Sequence, residues 1–596
     1  MNLLLYPLVL PFLIGIVCLA LPQRLKAAVK GLALIGSLIT FLLTIWLFTH
    51  NPSPNTFYLR IDSLSKFILV FIGLFGFLIT LYSVKSLEDK KQVGEYYGYI
   101  LWTIGVACGV LMANNLILLL VFWGFLGLTL YLLIGMGGPE ASAASKKTFI
   151  IVGGSDCLMI LGVGIIYFLT NTFQMDEIQL PIASHPLPTV AFLCLGVAAF
   201  SKAGAMPLHS WIPDCAQKAP VPVTAFLPAS LDKLLGIYLL ARITMDLFVL
   251  GKAMGMVLLI VGAFTIVAAV MMALVQHDFK KLLGYHAVSQ VGYMVLGIGT
   301  GNPVGIAGGL FHMLNNAIYK SCLFLCGGAV EKRTGTSDLD KLGGLARFMP
   351  ITFAACLIAA LSISGVPPLN GFVSKWMVYQ GVIELGKQGD KLWIIWLVAA
   401  MFGSALTLAS FMKLIHAVFL GSPADSDRSK TKEVSAWMWL PMVVLAAFCV
   451  VFGIFAYAFP LKKLILPAVP GVSFVGFWSP GLATMLLIVG VVIGVVIYLV
   501  GNIKGLREDI SFVGGEFIRP EMRVSGVDFY RIVEDFGFFR TLYRGAERKL
   551  FDIYELSRAI LFYFVQGLRG MHSGILPTYL SWVLVGLVVL LFVLMG

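Results

Sequence analysis

Charge is what this sequence has least of. Asp, Glu, Lys and Arg make up 12% of its 596 residues, against 59% hydrophobic residues and a mean hydropathy of +0.94. Soluble domains carry about 25% charged residues, so a string of water-soluble domains is excluded. Recurring apolar runs point instead to one integral membrane unit. Paired cysteines are also missing: nine Cys occur with no CxxC spacing. Cys322 and Cys326 lie one turn apart inside an apolar helix and read as small buried hydrophobes, not as a metal or cluster site. The glycine-rich run GIGTGNPVGIAGG at 297–309 joins two apolar spans with no strand before it, which argues against a nucleotide loop. No flavin, iron–sulfur or nickel signature is present. Despite a net charge of +12, the basic residues are spread over short loops with no clustered face and interleaved aromatics. Nucleic acid is therefore not an expected partner. The N-terminus, MNLLLYPLVLPFLIGIVCLALP, lacks a basic leader and reads as a first span, not a cleaved signal peptide.

What is there is an almost unbroken series of apolar runs, each about 18–25 residues long, giving about sixteen spans by hydropathy. Before Ala436, loops after odd-numbered spans hold about eighteen Lys and Arg and loops after even-numbered spans about eight, which puts the odd loops in the cytoplasm and the N-terminus outside. Charges return over 501–575. From Val527 to Leu568 apolar residues recur at helical spacing, with Arg531, Glu534, Arg544, Arg548, Asp552 and Arg558 on other faces. Such a stretch could run about 60 Å if Gly537 and Gly545 do not break it. It is too charged to span, so it fits a lateral helix along the membrane surface or against neighbouring subunits; the alternative is an ordinary cytoplasmic helical hairpin.

Within the spans, ionisable residues stand out. A lysine at the bilayer centre costs roughly 2.5–3.5 kcal/mol on insertion scales, so each one needs an offset and is a functional candidate. Asp156 lies in FIIVGGSDCLMILGVG, Lys202 in VAAFSKAGAMPLHSWIPD, Asp232 and Lys233 in VTAFLPASLDKLLGIYLLA, His312 and Lys320 in LFHMLNNAIYKSCLFL, and Lys375 in SGVPPLNGFVSKW. His312, Asn316 and Lys320 are spaced i, i+4, i+8 and stack along one helix face over about 12 Å. Asp232 and Lys233 point about 100° apart, so each seeks a partner on another helix. Pro207, Pro213, Pro367 and Pro368 remove backbone donors and free carbonyls, which is tolerated at membrane depth only inside protein or beside a wet cavity. One such lysine alone reads as a static ion pair or a snorkelling side chain. Four on separate spans, two beside proline breaks, favour an ion path.

These stretches, together with PLHSWIPDCAQKAPVPVTAFL, DFKKLLGYHAVSQVGYMVLGIG, DLDKLGGL, RIDSLSKF and VFWGFLGLTLYLLIG, resemble the antiporter-like membrane subunits of respiratory complex I, Mrp-type sodium/proton antiporters and energy-converting (group 4) hydrogenases. The resemblance covers roughly residues 60–420. It implies an all-α, polytopic fold with two inverted five-helix repeats, each carrying a broken helix, and a C-terminal lateral helix like that of the large distal subunit. On that pattern the divisions fall at 1–95 for N-terminal helices, 96–250 and 251–425 for the two repeats, 426–500 for additional spans, 501–575 for the lateral region and 576–596 for a last span. Lys202, Lys320 and Lys375 match the family's lysines on the first broken helix, between the breaks and on the second broken helix. Asp156 matches a sixth-helix acid, and Lys233 lies one position from an eighth-helix lysine or histidine.

Two residues depart from the pattern. Gly124 stands where the family has a glutamate after the fifth-helix tryptophan, and Asn316 replaces a histidine. Either Asp156 or Asp232 supplies the missing negative charge to Lys202, or this half no longer pumps.

The resemblance implies a non-catalytic subunit of the cell inner membrane that moves protons or sodium ions. Its implied partners are other antiporter-like subunits, small membrane subunits and a peripheral redox arm on the cytoplasmic side. Iron–sulfur, flavin or nickel–iron centres are expected only in those partners. The alternatives are an Mrp-type antiporter subunit driven by ion gradients, or a degenerate, largely structural one.

Overall fold

A computed structural model describes residues 3–50, 58–88, 90–182, 186–421, 431–473, 480–501, 526–530, 533–534, 536–572 and 574–595. Arg531, most of 501–525 and the division drawn at 425/426 lie outside the described residues. The chain forms two compact units, residues 1–534 and 535–596. It is an all-α, multi-pass membrane protein. Among the described residues ten helical stretches are long and apolar enough to cross a bilayer, and Tyr6–Ala20, Pro350–Ser364 and Ile488–Ile497 are shorter apolar helices.

The helices of the first unit are α1 (Tyr6–Ala20), α2 (Lys26–Thr49), α3 (Ser63–Ser86), α4 (Val93–Met112), α5 (Leu116–Gly135), α6 (Ser142–Thr170), α7 (Pro186–Ala203), α8 (Trp211–Lys218) and α9 (Val221–Phe226). They continue with α10 (Asp232–Arg242), α11 (Lys252–Leu274), α12 (Phe279–Gly299), α13 (Pro303–Thr334), α14 (Pro350–Ser364), α15 (Asn370–Lys387), α16 (Trp393–Ile415), α17 (Ala436–Ile454) and α18 (Pro480–Val500). Their starts follow local sequence. Asp62, Asn115, Asp278 and Asn302 each accept a hydrogen bond from a first-turn N–H of α3, α5, α12 and α13. Glycines set the closest packing. At the α11–α12 contact, a Cβ added to Gly262 would lie 2.6 Å from the Leu296 nitrogen, and one on Gly292 would lie 2.6 Å from the Gly262 carbonyl oxygen.

Two spans are broken, and both breaks are built alike. α7 stops at Ala203, Gly204 turns left-handed (φ +84°), and the Met206–Pro207 bond is cis before α8 begins. α14 stops at Ser364, Gly365 turns left-handed (φ +81°), and Pro367–Pro368 is cis before α15 begins. Glycine is the residue that takes that conformation without a Cβ penalty. A third irregularity joins α9 to α10: Leu227–Leu231 widens into a π-turn around Pro228, which has no N–H to give the helix ladder.

The second unit contains helices Gly537–Glu547, Ile553–Met571 and Leu576–Met595. The expected rod from Val527 to Leu568 is therefore not continuous. Lys549 turns to positive φ (+58°), Leu550 N–H closes on the Gly545 carbonyl, and Asp552 caps the next helix through the Tyr554 N–H. Leu576–Met595 is apolar and exposed along its length, as a lipid-facing span would be.

A charge cluster ties the start of α3 to the end of α10. Arg242 reaches both carboxylate oxygens of Asp62 (2.6 and 2.8 Å) and also Asp246 (2.7 Å), which Arg60 contacts at 3.0 Å. Burial alone would raise the Asp62 carboxyl. The hydrogen bonds and charge of Arg242, with the Ser65 N–H and Arg60, outweigh burial and hold it well below the usual carboxylate range. A carboxyl depressed in the folded state contributes stability that is complete above its unfolded value of about 4 and is lost as pH falls further. The thermal unfolding midpoint of the purified chain should therefore fall with acid below about pH 4, and Asp62→Asn should flatten that acid limb. An acid limb of equal slope in the variant would remove the cluster from the explanation.

Candidate functional site

The irregular backbone gathers the buried cations. Lys202, at the end of α7, is wholly buried with its Nζ 5.2 Å from the centroid of the Trp123 ring. Among the described residues its amine has no hydrogen-bond partner. Lys233 follows the π-turn and donates to the Ala203 carbonyl (2.5 Å), the last residue of α7 before the break. Lys320 on α13 donates to Leu283 O (3.0 Å) and lies over the Phe411 ring (5.5 Å). Lys375 on α15 reaches back across the second break to Ile363 O (2.8 Å) and lies over the Tyr293 ring (4.8 Å). Lys233, Lys320 and Lys375 are thus solvated by main-chain carbonyls, not by carboxylates. Among the described residues no carboxylate oxygen comes within 4 Å of any of the four amines.

The acids stand nearby without forming ion pairs. Asp156 is half-buried and accepts from Trp123 Nε1 at 2.9 Å, so Trp123 sits between Asp156 and Lys202. Asp232 is buried, its Oδ2 has no partner among the described residues, and its charge is opposed by Lys202 and Lys233. Gly124 faces open space, with nothing within 4 Å of an added Cβ. Asp214, in the WIPD motif, pairs with Lys147 at 2.7 Å and pins α8 to α6.

Around Lys375 a polar network fills the space. His312 Nδ1 bonds Ser374 Oγ (3.0 Å), its Nε2 faces Gln290 Oε1 (3.1 Å), and Tyr319 OH closes on both at 3.4 Å. Asn315 and Asn370 clasp each other (3.0 Å), and Ser362 joins Asn370 Oδ1. Asn316 Nδ2 reaches Ala229 O in the π-turn at 3.5 Å, so the stripe on α13 does face the site. Of the prolines, Pro207, Pro367 and Pro368 lie in the breaks, while Pro213 lies in the first turn of α8.

Sequence reasoning did not single out His286, Gln290, Ser374 or Lys413. His286 and Gln290 are an i, i+4 polar pair in the middle of α12, a periodicity that could have flagged them. Among the described residues no group of three His, Cys, Asp or Glu side chains could hold a metal ion.

Residues 113–412 match the family model described as NADH:quinone oxidoreductase/Mrp antiporter, transmembrane. The chain belongs to this family. It is 33% identical over 453 residues to a Na(+)/H(+) antiporter subunit A1 of Staphylococcus haemolyticus, an alignment covering 71% of this chain and 56% of that protein. The chain therefore spans about half the length of the curated relatives it matches. Among solved structures, a chain of the membrane-bound sulfane sulfur reductase, an archaeal respiratory membrane complex, superposes with a TM-score of 0.82 at 24% identity over 99% of both chains. A chain of the Mrp complex from Dietzia sp. gives 0.70 at 23% identity, covering 79% of this chain and 97% of its own. These two likenesses establish the fold.

The position of Lys233 depends on close packing of α10 against the end of α7. A Cβ on Gly236 would meet Ala203 N at 2.5 Å and Ala199 O at 2.8 Å. Gly236→Ala should cost about 1–3 kcal/mol through overpacking, read as a lower thermal unfolding midpoint, whereas Gly124→Ala should leave the midpoint in place. Equal midpoints for the two variants would refute this packing argument.

Proposed function

We propose that this chain is an ion-translocating, antiporter-type membrane subunit of a larger assembly, and that Lys202, Lys233, Lys320, Lys375, His312, Asp156 and Asp232 form its ion path. The observation that carries the reading is the set of four buried lysine amines, three of them held on carbonyls at and near the two breaks. A proton can leave a carbonyl-held ammonium without stranding a paired carboxylate in the protein interior.

The sequence relatives are named as antiporter subunits, which favours exchange of protons for a second cation over the redox-driven subunit expected first from the sequence. A redox-linked assembly keeps one observation of its own. The match to the sulfane sulfur reductase chain runs the full length, past the region covered by the Mrp chain. Other antiporter-like and small membrane subunits are then the partners in either case, with a peripheral redox arm only in the second.

The matching breaks, Gly204 with Pro207 and Gly365 with Pro368, support two repeats over 96–250 and 251–425, inverted as the family resemblance implies. With them go the count of about sixteen spans, further spans in 426–500 and 576–596, a lateral region at 501–575, the cell inner membrane and an outside N-terminus. Asp156 is the substitute for the missing fifth-helix glutamate: it lies on α6 facing Gly127, 3.5 Å from where a Cβ would stand there, and reaches Lys202 through Trp123.

Vesicles holding the complete assembly, energised only by an imposed sodium or potassium gradient, test the reading. Proton counterflow is expected, and Lys202→Met, Lys320→Met and Lys375→Met should each reduce it by about a hundredfold, the scale of losing a positioned proton carrier. Proton movement only on addition of an electron donor would favour the redox-linked assembly. Parental rates in all three variants would leave a scaffold.

A further inference from the structure

A cavity of about 300 Å³ lies at the foot of α16, away from the two breaks. Leu274, Val275, His277, Lys413, Asp528 and Glu534 are among its lining residues. The residues 526–530 close one side of it. Tyr530 OH donates to Ala409 O (3.1 Å), and a Cβ on Gly526 would lie 2.5 Å from His416 Nδ1, so this short segment is seated directly on the end of the α16 span. The cavity reaches the surface beside His277, whose side chain is 49% exposed and pairs with Asp340 at 2.7 Å.

Lys413 is the buried charged residue of the lining, at 4% exposure. Its amine donates to Leu274 O (2.7 Å) and Gln276 O (3.0 Å), the carbonyls released where α11 ends. An ammonium has three protons, and two are used there. The negative end of the α11 dipole favours a cation in that place, and Asp340, Glu534 and Asp528 oppose its charge from the cavity side.

Inward of Lys413 lie further polar side chains. Ser410 lies one turn earlier on the same helix, a rise of about 4.5 Å. Its Oγ bonds His286 Nε2 at 2.7 Å. His286 is wholly buried, and its Nδ1 has no partner among the described residues. Phe411 packs against His286 (4.7 Å between ring centres) and carries Lys320 on its face (5.5 Å). Lys320 in turn holds Leu283 O, one turn before His286.

We propose that this cavity is a proton port, the place where protons pass between water and the buried row, by way of Lys413, Ser410 and His286 to Lys320. The inference rests on the ion-translocating reading above and gives it a second-half opening. Asp528 and Glu534 gather protons at the mouth. Lys413 behind them hands one proton inward and takes another from the mouth, its resting charge turning away alkali cations, while an imidazole passes a proton by accepting at one nitrogen and releasing from the other.

The test uses membrane vesicles containing the complete assembly. Val275→Cys puts a thiol in the cavity wall without touching the route, and a bulky, membrane-impermeant methanethiosulfonate is applied from each face in turn. Labelling is expected only from the face bearing the α11–α12 connection, and it should cut proton transport at least about fivefold, while the same reagent leaves the parent chain, with its own exposed Cys157, unaffected. Complete labelling with transport unchanged, or no labelling from that face, overturns the port. Independently, Lys413→Met should reduce transport about tenfold with subunits still co-purifying, and Lys413→Arg, whose guanidinium does not release a proton, should not restore it. Parental transport in Lys413→Met also overturns the proposal. Unlabelled Val275→Cys assemblies that transport normally keep failure of the port distinct from failure of the translocation reading.

Discussion

An ammonium group taken into the protein at membrane depth must replace its water shell, and this chain does so with main-chain carbonyl oxygens. Ala203, Ile363, Leu283, Leu274 and Gln276 supply them to Lys233, Lys375, Lys320 and Lys413. Two of these carbonyls belong to the broken spans, so each break both interrupts the helix and solvates the cation beside it. The choice of partner decides the chemistry. A carboxylate at 4 Å would add about 4 kcal/mol of attraction at an effective dielectric of 20, roughly three pK units in favour of the charged form. A carbonyl holds the ammonium by its dipole alone and lets the proton go more readily.

Lys202 is the exception. Among the described residues its amine has no hydrogen-bond partner; the Trp123 ring and two acids that stop short of contact surround it. A cation held this loosely responds to small changes in its neighbours, which suits a switch. Lys375 sits instead in a filled network of His312, Ser374, Gln290 and Tyr319, where ordering costs have already been met in the folded state. Small residues keep these groups in register: Gly236 admits the α7 backbone, and Gly371 admits Ser362 O within what would be a Cβ radius.

Much of this was legible in the sequence, because lysines in apolar runs and prolines beside them are conspicuous. Lys202, Lys233, Lys320 and Lys375, the i, i+4, i+8 stripe on α13 and the breaks at Pro207 and Pro368 all follow from spacing and hydropathy. The carbonyl partners could not be read, since Leu283 and Ile363 offer only their backbones and any residue would have served. His286 and Lys413 escaped because one sits in a weakly amphipathic helix and the other ends a span, where a lysine ordinarily snorkels. The 527–568 stretch misled through its steady periodicity: Lys549 and Asp552 form a stop and a start that a 3.6-residue repeat does not register. Gly124 was visible as a departure, whereas the Trp123–Asp156 hydrogen bond beside Lys202 was not.

Density for the complete assembly, at a resolution that orders water, tests the central claim most directly. If the buried lysines exchange protons, ordered waters must lie within hydrogen-bond reach, about 3 Å, of Lys202 Nζ and Lys375 Nζ and link them toward Lys320. Dry apolar packing around those two amines, or carboxylates clamped on both, would contradict it.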